Sequence, residues 1–292
     1  MKRLFVYLAV TFGISWGVWI PLGIVLGTFK TGVESSMIMV AAVAAGMFFP
    51  LIGALVANAS VPKEERIDLC VKPLIRQNAK SYLLAWFSPA LFTLAGAALF
   101  FLLFPYLFDP TAAQVTQMAE TSGADASAVP AMLAAIILAA LTIAPPVNSV
   151  FAFGEEAGWR GMLFPTLCEL MSERKAVLVS GVIWGLWHAP IIAMGHNYGM
   201  DYVGFPLVGI LAMVVACTSL GCLLSWLRLR TRSVWPCALA HGSVNAIGNV
   251  GLYFCTTRAS LYGPSLLGLV AGIPLFVVAV VCWLHLSADS PQ

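Results

Sequence analysis

The stretch GEEAGWRG, residues 154–161, places two adjacent carboxylates and one guanidinium among some of the most apolar sequence of the chain. An unpaired charge that is buried in a low-dielectric environment costs several kcal/mol. Glu155, Glu156 and Arg160 therefore need polar partners, and the remainder of the chain must form a fold that brings those partners to them.

The composition indicates the class of protein. Of the 292 residues, 60% are hydrophobic and 10% are charged, with a mean hydropathy of +0.92. Soluble domains are about 45–50% apolar and about 25% charged, so this sequence predicts an all-α integral membrane protein. A net charge of +2 gives no indication of a nucleic-acid partner. The seven cysteines form no C-x-x-C pair and are interpreted as buried apolar residues.

Eight apolar segments are long enough to cross a bilayer, for which about 20 residues are needed. We expect a single domain, residues 1–292, with its functional core at about 147–250. The predicted spans cover about 4–29, 37–58, 82–104, 131–171, 176–194, 203–227, 234–255 and 264–286.

The distribution of basic residues predicts the orientation of the spans. Thirteen of the fifteen Lys and Arg residues fall on one side of an eight-span arrangement, and only Lys30 and Arg258 fall on the other. By the positive-inside rule the richer side is cytoplasmic, so both termini are predicted to lie inside. We expect location in the bacterial inner membrane.

Ionisable side chains within membrane spans are functional candidates, because each costs roughly 2.5–3.5 kcal/mol at a helix centre. Glu156 and Arg160 are four residues apart and are predicted to form a structural ion pair. Glu155 points about 100° away around the helix axis, towards another neighbour. It is therefore the carboxylate that we predict to do chemistry.

The predicted partners of Glu155 lie on spans five and seven. Trp184 and His188 share one helix face, and so do His241 and Asn245, because residues four apart lie one turn above each other. We therefore predict a polar cavity between helices four, five and seven, with Trp159 and Trp184 lining it or packing beside it.

The depth of Glu155 requires a bent fourth span. If that span ended at Phe153, Glu155 would lie at the surface, whereas His188 is about 18 Å along a straight helix from Ala176. A break at Pro145-Pro146, with the helix continuing through the motif to about Met171, places Glu155 inside the membrane. We favour this arrangement.

Such a set of side chains suits hydrolysis of a peptide bond. A carboxylate held between apolar helices is a stronger base than one in water and can take a proton from an attacking water molecule. His188 can orient that water, and His241 and Asn245 can donate hydrogen bonds to the oxyanion, each worth about 3–4 kcal/mol in known cases.

Together, Glu155-Glu156-x-x-x-Arg160, Trp184-x-x-x-His188 and His241-x-x-x-Asn245 resemble the three motifs of the CPBP, or Abi, family of intramembrane proteases. That family includes endopeptidases that process prenylated CAAX proteins and bacterial members linked to bacteriocin self-immunity. The resemblance implies that Glu155 activates water and that His188, His241 and Asn245 assist. Motif two usually begins with Phe, so Trp184 is a departure that implies a reshaped substrate pocket.

The family has been described both as zinc metalloendopeptidases and as metal-independent glutamic proteases. If zinc is bound, its ligands here would be Glu155, His188 and His241. The sequence lacks H-E-x-x-H, and Asn is a poor zinc ligand. We therefore expect no cofactor, with zinc as the alternative.

The expected partners are the lipid bilayer and a membrane-embedded or lipidated protein or peptide substrate, with no nucleic acid. The alternative interpretation is a non-catalytic membrane transporter, or a binding or immunity protein, that uses the same polar cluster for recognition or proton movement.

Overall fold

The structure, a computed structural model, describes residues 1–256 and 261–289. Within these residues the secondary structure is helical. The α-helices are α1 (Lys2–Leu26), α2 (Thr28–Thr31), α3 (Met37–Gly46), α4 (Phe49–Ala59), α5 (Ile75–Leu103), α6 (Ala113–Thr121), α7 (Val129–Thr142), α8 (Ala144–Gly158), α9 (Phe164–Cys168), α10 (Glu173–Trp187), α11 (Ala189–Ile192), α12 (Leu207–Thr231), α13 (Trp235–Ile247) and α14 (Ile273–Leu284).

Long apolar helices identify the chain as an integral membrane protein. Among the described residues, four helical segments are long and apolar enough to span a bilayer, namely α1, α3 with α4, α5 and α12. A fifth is formed if α7 and the helix that follows it count as one bent span. The eight-span arrangement and its orientation stay predictions, because α10, α13 and α14 are shorter than a full crossing.

The last two predicted spans begin or end differently from the sequence-based bounds. Helix α13 ends at Ile247 and gives way to a 3₁₀ turn, Val250–Phe254, although a span to 255 was predicted. Helix α14 begins at Ile273, nine residues after the predicted start at 264. The intervening segment contains Pro264, Gly268 and Gly272, residues that disfavour a helix interior. Arg258, predicted on the outer side, lies outside the described residues.

The bend predicted in the fourth span is confirmed. Helix α7 and the helical segment Ala144–Cys168, which begins with α8, meet at a 47° angle, and the break falls at Ile143, two residues before Pro145. A proline ring clashes with the carbonyl four residues earlier, which explains a break at this place. After α8 the chain continues helically through a π-helical turn, Trp159–Leu163, into α9.

The centre of the bundle is formed by α8 packed on α13 and by α10 packed on α12. Glycines allow both pairs to approach closely. A Cβ atom on Gly242 of α13 would lie 2.5 Å from the backbone nitrogen of Ser149 on α8. One on Gly185 of α10 would lie 2.4 Å from Cα of Val214 on α12. Small residues at such crossings let helices pack by van der Waals contact, which drives helix association in membranes.

Candidate active site

Glu155 lies on the last turn of α8, where the helix enters its π-helical turn. Its side chain is buried, and Oε2 accepts two indole hydrogen bonds: from Nε1 of Trp159 at 3.1 Å and from Nε1 of Trp184 at 2.7 Å. Oε1 of Glu155 has no hydrogen-bond partner among the described residues. π-Helical turns are frequent at functional sites, and this one holds Trp159 against the carboxylate. One oxygen of Glu155 is thus fixed by the protein.

Glu156 has a different set of partners. It is fully buried, and its Oε1 accepts hydrogen bonds from Nη1 of Arg160 at 3.1 Å and from Nδ1 of His241 at 2.9 Å. Its Oε2 has no partner among the described residues. The two adjacent acids therefore point in different directions, as their spacing on the helix predicts.

Arg160 is held on two sides. Besides its contact with Glu156, its guanidinium carbon lies 4.2 Å from the centre of the Trp184 ring, a cation–π distance. The Trp184 side chain therefore joins both carboxylates of the motif: its N–H donates to Glu155, and its ring face covers the arginine that neutralises Glu156.

His188 directly follows α10, and Pro190 lies just beyond it in α11. Its Nδ1 lies 2.8 Å from the backbone oxygen of Trp184. Because a carbonyl oxygen only accepts hydrogen bonds, Nδ1 must carry the proton, and Nε2 of the neutral ring is an acceptor. The Trp187 ring packs edge-on against the imidazole, with centroids 4.8 Å apart.

His241 and Asn245 lie one turn apart on α13. His241 is buried, with Nδ1 bonded to Glu156 and its ring 5.3 Å from that of Trp184. Asn245 is exposed and lines the same cavity as His241. The two side chains thus lie at different depths of the same cavity.

One cavity of about 100 Å³ brings the four predicted catalytic residues together. That volume holds several water molecules. Its lining comprises Trp19, Val43, Met47, Glu155, Trp184, Trp187, His188, Ile191, His196, Asn197, Met213, Ala216, Cys217, Leu220, His241, Val244, Asn245 and Leu267. The cavity contacts residues of α8, α10 and α13, the helices from which the sequence predicted it. Trp184 lines it, whereas Trp159 packs behind Glu155.

Three polar residues of this lining were not predicted. His196 and Asn197 belong to the turn after α11, and their neighbour Gly195 has φ +80°. Burial lowers the pKa of His196 to about 4, so its ring is neutral at physiological pH. Cys217 places Sγ 3.9 Å from Nδ1 of His188. The glycine-flanked polar pair is a sequence signal for a turn, but its position over the cavity depends on tertiary packing.

The alternative zinc site, formed by Glu155, His188 and His241, stays a prediction. Across residues 1–256 and 261–289, no three His, Cys, Asp or Glu side chains are grouped as ligands for one metal ion. Nδ1 of His241 and Oε2 of Glu155 are already bonded to protein groups.

Comparisons with known proteins agree with the motifs. Residues 129–247 match the family described as type II CAAX prenyl endopeptidase Rce1-like. The chain is also 29% identical over 92 residues to CAAX prenyl protease 2 of Methanococcus maripaludis, an alignment that covers 31% of this chain and 34% of that protein. The chain thus aligns with about a third of this relative. Residues 129–247, which contain all three motifs, are thus similar to the CAAX prenyl endopeptidases of the CPBP family.

Proposed function

We propose that this protein is an intramembrane endopeptidase that hydrolyses a peptide bond of a membrane-embedded or lipidated protein or peptide. The observation that carries the proposal is the convergence of Glu155, His188, His241 and Asn245 on one cavity of about 100 Å³ between apolar helices. Similarity to CAAX prenyl endopeptidases over residues 129–247 favours this activity over a transporter or a binding protein. We place the protein in the bacterial inner membrane with its N-terminus in the cytoplasm.

Glu155 is the general base in this proposal. With Oε2 held by two indoles, Oε1 takes a proton from a water molecule. The water oxygen then bonds to the scissile carbonyl carbon and forms a tetrahedral intermediate. Glu155 passes the proton to the amide nitrogen as the C–N bond breaks, which releases an amine and a carboxylic acid.

His188 orients the water. Its Nδ1–H donates a hydrogen bond to the Trp184 carbonyl, so Nε2 is free to accept a hydrogen bond from the water. The second proton of that water then points towards Glu155. The Trp187 ring restricts the rotation of this imidazole.

Asn245 and His241 contact the developing oxyanion. The side-chain amide of Asn245 can donate a hydrogen bond to the oxyanion without any change in its protonation. His241 lies beside it with Nδ1 held by Glu156, so that Nε2 is the ring atom left for the reacting oxygen. Removing one oxyanion donor in a known protease costs about 10²–10³ in kcat.

The experiment that tests this function compares the wild-type protein with Glu155→Gln, each purified and reconstituted into liposomes with a fluorogenic transmembrane peptide library. We expect cleavage by the wild type and none by Glu155→Gln, because the amide cannot accept the proton. Glu120→Gln, on an exposed turn of α6, is the matched control and should retain full activity. Equal cleavage by the Glu155→Gln protein would refute the assignment.

A further inference from the structure

One face of α1 carries a buried stripe of side chains, several of them polar or aromatic. The buried residues of this helix recur at every fourth position, namely Arg3, Tyr7, Thr11, Ser15, Trp19 and Gly23. Residues four apart lie on the same helix face, so the stripe faces the rest of the protein, whereas Phe5 and Ile24 are exposed. A hydroxyl that is buried in a membrane span needs a hydrogen-bond partner, since lipid supplies none. The partners of the stripe therefore show what α1 holds.

The middle of the stripe holds Trp187, the last residue of α10. Nε1 of Trp187 donates to Oγ of Ser15 at 2.7 Å, and that hydroxyl donates in turn to the backbone oxygen of Thr11 at 2.7 Å. Ser15 thus uses its hydroxyl both as acceptor and as donor. Trp19 adds an edge-on ring contact to Trp187, with centroids 4.8 Å apart. These contacts fix the position and the rotation of the Trp187 indole.

A second hydrogen bond from α1 fixes the backbone at the end of α10. Nε1 of Trp16 donates to the backbone oxygen of Trp187 at 3.0 Å. Helix α10 ends at this residue, and the last four carbonyl groups of an α-helix have no partner within their own helix. Trp16 therefore supplies such a partner from another helix, one residue before His188.

Trp187 carries these contacts to the candidate active site. Its ring packs edge-on against the His188 imidazole with centroids 4.8 Å apart, and both side chains line the cavity. The hydrogen bond from Nδ1 of His188 to the Trp184 carbonyl fixes one atom of the imidazole, and the edge of Trp187 limits the tilt of the ring. The orientation of Nε2 therefore depends on where α1 holds the indole.

The same stripe braces the indole from the side of Glu155. Tyr7, about two turns before Ser15, packs edge-on against the Trp159 ring with centroids 5.8 Å apart. The Trp159 ring in turn meets that of Trp187 at 5.6 Å, and its N–H donates to Oε2 of Glu155. Trp159 thus contacts both α1 and the residue that packs on His188.

From these contacts we propose that Ser15 and Trp16 are positioning residues of the active site, which set the orientation of His188 through Trp187. This role rests on the proposed function and extends it to α1, which lies outside residues 129–247, the segment similar to the CAAX prenyl endopeptidases. Misplacement of a reacting group by about 1 Å can lower a rate about 10²-fold. The chemistry on α8, α10 and α13 therefore depends on a helix outside that segment.

The first experiment compares Ser15→Thr with Ser15→Val in the liposome cleavage assay. The two side chains have the same shape, but only threonine keeps a hydroxyl that can accept from Trp187. We expect kcat to be about three- to tenfold lower in Ser15→Val than in Ser15→Thr, which is the value of one hydrogen bond. KM should agree within about twofold, because Ser15 orients a reacting group and does not touch the substrate.

A second pair of variants covers the case in which neither Ser15 variant folds. Trp16→Phe removes the N–H that donates to Trp187. Trp86→Phe is the matched control, because Nε1 of Trp86 also donates to a backbone oxygen, that of Leu141 at 2.8 Å, away from the cavity lining. We expect similar falls in the thermal unfolding temperature for both variants and a lower kcat in Trp16→Phe only.

NMR of protein labelled with ¹³C at its histidines tests the positioning without any cleavage assay. The chain has four histidines, and the His188 signal is assigned with His188→Gln. We expect the His188 imidazole signal to shift in Ser15→Val and in Trp16→Phe. The signal of His285, at the end of α14, and the whole spectrum of Trp86→Phe should stay unchanged.

The outcomes separate the positioning role from the protease function. A wild-type protein that cleaves no peptide would refute the protease function, and the His188 signal would then decide whether α1 positions the imidazole. A His188 signal that is unchanged in both Ser15→Val and Trp16→Phe would overturn the proposal. So would an active protein in which kcat is equal within each pair of variants.

Discussion

His241 and Glu156 are joined by a hydrogen bond of 2.9 Å between Nδ1 and Oε1, although 85 residues separate them in the chain. The second acid of the motif therefore does more than neutralise Arg160, because it also fixes the tautomer and direction of an imidazole in the cavity. The Glu155 carboxylate is held by indoles in the same way, so each acid links α8 to a different neighbouring helix.

Removing Glu156 should destabilise the protein strongly. Glu156→Ala strands the buried Arg160 guanidinium, and breaking a buried pair costs about 3–5 kcal/mol. We expect a lower thermal unfolding temperature in detergent for both Glu156→Ala and Arg160→Ala. Glu120→Ala is the control, since that carboxylate is exposed. Unfolding temperatures equal to that of the wild type would show that the pair is not needed for the fold.

Trp184→Phe should reduce the rate of cleavage while leaving the protein folded. Phe keeps an aromatic ring beside Arg160 but removes the N–H that donates to Glu155, a bond to a charged group worth about 1.5–3 kcal/mol. We expect kcat to fall by about tenfold or more in the liposome assay. Trp226→Phe is a matched control, because that ring also faces an arginine, Arg230 at 5.4 Å. An unchanged kcat in Trp184→Phe would mean that the indole does not position the base.

Gly242→Ala should separate α13 from α8. The new methyl group would meet the Ser149 backbone at 2.5 Å, and such overpacking costs about 1–3 kcal/mol. We expect lower thermal stability and lower cleavage together, since the shift weakens the Glu156–His241 bond. Gly17→Ala on α1, with nothing within 4 Å of its Cβ position, should leave both unchanged or slightly improved. Normal stability in Gly242→Ala would argue against tight packing at this crossing.

Treatment with a zinc chelator should leave cleavage unchanged, and purified protein should contain much less than one zinc per chain. This expectation follows from the proposed mechanism, in which Oε1 of Glu155 and Nε2 of His188 bind the attacking water instead of a metal ion. Metal analysis of wild type and His188→Ala checks this. Stoichiometric zinc that disappears in His188→Ala would contradict a metal-independent mechanism.

Much of the candidate site was predictable from local spacing. The i, i+4 relations of Glu156 with Arg160, of Trp184 with His188 and of His241 with Asn245 follow from helix geometry, and the proline pair indicated the bend before α8. These features depend on residues within one or two turns of each other, so the sequence contains the necessary information.

Other features depended on contacts between distant segments. The start of α14 was predicted nine residues too early, because apolar composition alone did not separate helix from the Gly- and Pro-containing segment before it. The contribution of His196, Asn197 and Cys217 to the cavity was missed, since a turn and a buried thiol show no periodicity that points to a common site.

By itself, the sequence determined that this is a membrane protein with three polar motifs on apolar helices, because composition and helical period are local properties. Only the tertiary structure decided the long-range partners of the two acids: Trp184 for Glu155 and His241 for Glu156. The physical reason is that a buried charge is satisfied by whichever polar group the packed helices bring within about 3 Å. Close crossings at glycines set those distances.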